Sequence, residues 1–117
     1  MKMRQGLLYM DVVECPFANI SSVAEVERFQ FPDPFAEGRF EDAKHYIEKY
    51  KNDYFIIGDV ELTMFEMAWH MVGMEKFMTD MATRQPYIEA LIDKCKEFSI
   101  GIGKQLVARG VDGIWTG

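Results

Sequence analysis

The side chains best suited to chemistry gather in one stretch, Tyr54 to Gly73, which reads YFIIGDVELTMFEMAWHMVG. Its opening run, Tyr54-Phe55-Ile56-Ile57, is too short for a helix and rich in aromatic and β-branched types. It predicts a strand covered on both faces. Asp59 and Glu61 follow, in what the spacing predicts to be a tight exit loop. In a strand–loop–helix unit the chemistry belongs to that loop, where a carboxylate can hold a cation, a metal or another residue. The alternative is that both carboxylates cap the next helix and meet its positive end, at about 0.3–1 kcal/mol each. Glu66 and His70 stand four residues apart on the predicted helix, a spacing that lets two side chains meet one metal ion. With no further ligand in reach, an ordinary hydrogen bond is the plainer reading, and no metal ligand is assigned. Phe65 and Trp69 can stack on a flat ligand or pack in a core. Thr116 and Gly117, at the exit of the final strand, can line a ligand site.

These residues need elements to position them. Thr63 with Glu66 three residues on starts a predicted helix, and Gly73 has the place of a C-terminal glycine. Upstream, Leu7 to Val13 predicts a strand or extended arm, ended by Glu14-Cys15-Pro16. Ser22-Val23-Ala24-Glu25 is a capping box opening a short helix that reaches Phe29. FQFPDPF, Phe29 to Phe35, reads as a rigid packed loop with Asp33 bound to its own backbone. Gly38 to Tyr50 carries apolar residues at three- and four-residue spacing, a half-buried helix that leaves His45 in solvent. Met74 to Ala82 is another short helix, with Phe77, Met78 and Met81 on one face. Pro86 suits the first turn of the longest helix, which keeps its period to about Arg109. Gly101 and Gly103 inside it predict close packing or a bend, since each costs about 1 kcal/mol relative to alanine. Gly110 closes that helix, and Val111 to Thr116 is the next strand. Residues 1–53 thus form an arm with helices, and 54–117 a βαβ unit.

Bulk properties bound the function. The chain has 117 residues, room for one core, and 49% hydrophobic content that argues against disorder. A formal charge of −6 argues against nucleic acid and against an anionic membrane surface as partners. No apolar run approaches the ~20 residues of a membrane span, and the start MKMRQGLLYM lacks the features of an export signal. Cys15 and Cys95 match no metal or redox spacing and are expected as free thiols in a cytoplasmic protein. Six methionines (Met64, Met67, Met71, Met74, Met78, Met81) form a face suited to a core or an interface between copies, so a homo-oligomer is expected.

Three segments carry a resemblance: PDPFAEGRFEDAK at 32–44, FIIGDVELTMFEMAWHMVGMEKFMTDMA at 55–82 and GVDGIWTG at 110–117. Together they resemble the uroporphyrinogen decarboxylase-like superfamily, which includes the corrinoid and coenzyme M methyltransferases. The resemblance implies a segment of a (β/α)8 barrel, helix-rich with two or three parallel strands, in a fold that needs about 250 residues to close. It implies a tetrapyrrole or a methylated, corrinoid-linked substrate, with corrinoid or zinc used by some full-length relatives, and decarboxylation or methyl transfer as the reaction. Where the decarboxylases carry a catalytic tyrosine four residues before the glycine, this chain has Trp69. The segment would be inactive in isolation. A different reading of the same residues is a non-catalytic α/β module that self-associates through its methionine face.

Overall fold

The computed structural model describes residues 2–5 and 10–117, with side chains from Val12 onward. Its order is β1 (Lys2–Gln5), β2 (Met10–Glu14), α1 (Val23–Arg28), α2 (Glu41–Tyr50), β3 (Ile57–Val60), α3 (Met64–Val72), α4 (Met74–Ala82), α5 (Tyr87–Arg109) and β4 (Gly113–Thr116). This is a helix-rich α/β chain with one parallel and one antiparallel two-stranded sheet. The chain divides into two compact units. One comprises Met1–Gln30 and Met64–Cys95, the other Phe31–Thr63 and Lys96–Gly117.

In the first unit, β1 and β2 pair antiparallel, with Gln5 opposite Met10. The extended arm predicted from Leu7 to Val13 is therefore β2 from Met10 onward, while Leu7 to Tyr9 lie outside the described residues. The Glu25 carboxylate reaches back to the start of α1, accepting the Ser22 N–H at 3.0 Å and the Ser22 hydroxyl at 2.8 Å. Those contacts satisfy donors that the first turn leaves open, which is why the helix starts at Val23. Gly73 adopts φ +99° and serves two helices. Its N–H closes α3 on the Trp69 carbonyl at 2.7 Å, and its carbonyl accepts the Phe77 N–H of α4 at 2.9 Å. A side chain there would be strained, so the glycine expected as a helix stop is also a helix start. Val26, Phe77, Tyr87 and Leu91 are among the fully buried side chains of this unit.

In the second unit, Phe40, Val60 and Leu106 form a buried cluster that Ala43, Ile102 and Val111 flank. The cluster sets α2 and the end of α5 against one face of the β3–β4 pair. Asp33 accepts the Phe35 N–H at 2.8 Å, the predicted self-bonded turn that holds Pro34 in place. A Cβ on Gly101 would lie 2.8 Å from Pro34, so the close packing expected at this glycine is present, whereas Gly103 faces open space. Gly110, at φ +97°, ends α5, and its carbonyl accepts the Lys51 ammonium.

The strand predicted over Tyr54 to Ile57 requires correction. β3 begins at Ile57 and includes Gly58, Asp59 and Val60, which the sequence assigns to a loop. The physical reason lies in three hydrogen bonds. The Tyr54 N–H still donates to the Tyr50 carbonyl at 2.9 Å, so Tyr54 belongs to the exit of α2. The ladder opens only where the Asp112 carboxylate accepts the Ile56 N–H at 2.9 Å and the Ile56 carbonyl accepts the Asp112 N–H at 2.8 Å. From there β3 and β4 run parallel, with Ile57 opposite Gly113 and Asp59 opposite Trp115. Nor is this strand covered on both faces. Gly58 and Val60 are buried, whereas Tyr54, Phe55 and Ile57 are exposed. Gly58 lets Leu106 and Ile114 close over the covered face, because a Cβ there would lie 3.0 Å from Leu106 and 3.1 Å from Ile114 and would push those side chains back by a few tenths of an ångström.

Candidate functional site

Six residues were expected at a site, and they divide between the two units. Asp59, Glu61 and Thr116 belong to the unit of the parallel sheet, Phe65, Glu66 and Trp69 to the other.

In the sheet unit, Asp59 sits within β3 rather than in the loop beyond it. Strand alternation turns it to the same side as Ile57, away from buried Gly58 and Val60. Its parallel neighbour Trp115 points to that side too, since partners in register share a face. Gly113, two residues before Trp115, lacks a side chain, and the Phe55 ring fills the space: a Cβ there would lie 3.4 Å from the ring. The result is an open face made of Phe55, Ile57, Asp59 and Trp115. Phe55 is 72% exposed and Trp115 63%. The Asp59 side chain has no hydrogen-bond or ion-pair partner among the described residues, and neither has Glu61, so neither caps α3. Past the strand, Glu61 lies against Gly117, Leu62 takes a left-handed φ of +58°, and the Thr63 hydroxyl donates to the Gly117 carbonyl at 3.3 Å. That contact ties the β3 exit loop to the end of β4, where Thr116 is exposed opposite Val60.

In the helical unit, Phe65 packs edge-on against buried Phe77, with centroids 5.7 Å apart, which favours packing over ligand stacking. The Trp69 and His70 rings meet edge-on at 3.9 Å. Partial burial holds the His70 imidazole below its ordinary pKa, with the Glu66 carboxylate acting in the opposite direction. Glu66 and His70 are thus electrostatically coupled along α3, as their spacing suggests. Among the described residues no group of three His, Cys, Asp or Glu is placed to hold a metal ion.

Sequence reasoning missed a second cluster in this unit. Tyr87, 1% exposed, donates its hydroxyl to Asp80, which also takes the Lys76 ammonium. Burial and the neighbouring carboxylate push the Tyr87 hydroxyl well above its ordinary pKa, and Lys76 first, then Tyr87, hold Asp80 below its own. Only the Lys76–Asp80 half was visible in sequence, as an i,i+4 pair. The cluster ties α4 to the first turn of α5 across a turn in which Arg84 has φ +54°. Beside it Met81, Arg84, Ile88 and Ile92 help to line an open groove. Cys15 and Cys95 are both free.

No family model, curated protein or solved structure matches the chain. No helix among the described residues is long and apolar enough to cross a membrane.

Proposed function

We propose that the chain is a segment of a uroporphyrinogen decarboxylase-like barrel enzyme, cytoplasmic and oligomeric, acting on a tetrapyrrole or a corrinoid-linked methyl substrate. The observation that carries this reading is the β3–β4 pair. Its strands are parallel and joined by a helical crossover, α2 and α5 lie on one face, and the other face is bare. Parallel sheets occur almost only with both faces covered. In a (β/α)8 barrel the helix-free face looks into the barrel, and the ends of its strands carry the substrate site. Asp59, Glu61 and Thr116 stand at those ends. The test is pigment binding by the protein expressed from its complete reading frame. A saturable change in the visible spectrum of a porphyrin or a corrinoid supports the reading, and the absence of both removes it.

A second reading is a non-catalytic module that self-associates. It is favoured by the exposure of Met64 and Met74, Met78 and Met81 on α3 and α4, where polar side chains would be expected on a free surface. Light scattering tests it, because a monomer at micromolar concentration would exclude it, and an oligomer that binds neither pigment would favour it over the barrel reading.

A further inference from the structure

From the open face of the β3–β4 sheet we infer a binding site for a methylated ammonium cation, with Trp115 and Phe55 as its aromatic walls and Asp59 as its counter-charge. This goes beyond the reading above, since such a cation is neither a tetrapyrrole nor a corrinoid, and it rests on that reading for taking the bare face as the ligand side. Three observations converge. Trp115 and Asp59 are register partners in a parallel pair, so their side chains project side by side from adjacent strands. Phe55 lays its ring over Gly113, two residues from Trp115 on the same face, within van der Waals reach of where a Cβ would stand. Asp59 has no partner among the described residues and shares its exposed face with Phe55, Ile57 and Trp115.

An unpaired carboxylate beside two exposed aromatic rings sets a definite chemical preference. Ring faces are electron-rich and attract a cation, Trp most strongly, and an alkylated ammonium gives up its water more readily than a primary one. The apolar surround suits methyl groups, whereas a metal ion would need oxygen or nitrogen ligands that this face lacks. An anion would meet Asp59 and is disfavoured.

The probe is tetramethylammonium chloride, added to the chain and followed by the indole N–H signal of Trp115 in a nitrogen-correlated NMR spectrum, assigned with Trp115→Phe. Sodium chloride at equal ionic strength and the neutral isostere 3,3-dimethyl-1-butanol are the controls. The expected result is a saturable shift at Trp115 with tetramethylammonium alone, weakened by about three- to tenfold in Asp59→Asn and kept in Asp59→Glu. Unchanged methyl signals of Val60 and Leu106, in the core of the same unit, show that the variants remain folded. A shift that never saturates, an equal shift from the neutral alcohol, or undiminished binding by Asp59→Asn would overturn the inference. Pigment binding is read separately: if pigment binds and tetramethylammonium does not, only the cation site fails. If tetramethylammonium binds and no pigment does, the site stands and the barrel reading fails.

Discussion

Alanine at two neighbouring glycines of α5 should shift stability in opposite directions. A Cβ at position 101 would stand 2.8 Å from both Cβ and Cγ of Pro34, whereas one at position 103 would meet nothing within 4 Å. Carbon atoms pack at about 3.5–4.0 Å, so Gly101→Ala must push the proline ring or the helix by about 0.7 Å or more. The Asx turn at Asp33 limits how far Pro34 can yield. Overpacking of this kind costs about 1–3 kcal/mol. Both substitutions also gain about 1 kcal/mol, because alanine loses less backbone entropy in a helix than glycine does. That gain is common to the pair and cancels in the difference. Gly103→Ala should therefore be more stable than the parent by up to about 1 kcal/mol, and Gly101→Ala less stable by about 1 kcal/mol. Urea unfolding of the three proteins measures it. A Gly101→Ala protein as stable as Gly103→Ala would refute the packing of α5 against Pro34.

Three further outcomes are expected. Asp112→Ala should speed amide exchange at Ile56 and cost about 1 kcal/mol, with Asp112→Asn losing less because it keeps an acceptor oxygen. Unchanged exchange would show that this carboxylate does not pin the start of the parallel ladder. The Ser22 hydroxyl first, then the Ser21 backbone, lowers the Glu25 pKa from 4.5. Its support of α1 is thus complete above the ordinary glutamate value and fades as pH falls through the lower folded value. Carbon-detected titration of Glu25 should show the depressed midpoint, and Glu25→Gln should flatten the acid dependence of protection in α1. Burial pushes the Cys95 thiol up to about 11, so iodoacetamide at pH 8 should label Cys15 in the native protein and Cys95 only after unfolding. Mass spectrometry of the labelled peptides decides it.

The helices were legible because their signals are local. The Ser22–Glu25 box, the three- and four-residue spacing in α2, Pro86 before α5 and the glycines at 73 and 110 each act within one or two turns. The parallel pairing of the last two strands also follows from strand–helix–strand order. The start of β3 does not. It depends on where the Tyr54 N–H finds its acceptor and on a carboxylate 56 residues away in sequence, and no window of the chain contains both. The β1–β2 pairing was missed for a similar reason, since Lys2–Gln5 carries no alternating pattern strong enough to announce a strand. Asp59 was expected in the loop beyond the strand, whereas it lies within β3. Phe55 was expected to be covered, because aromatic residues in a strand read as core, and it is exposed, as is Trp115.

The open face of the β3–β4 pair carries the account, and a structure of the protein from its complete reading frame tests it most directly. The proposed barrel requires further parallel strands on the outer edges of β3 and β4, with Asp59 and Trp115 turned into its interior. Helices packed over Ile57 and Trp115, or a second copy seated there, would contradict it.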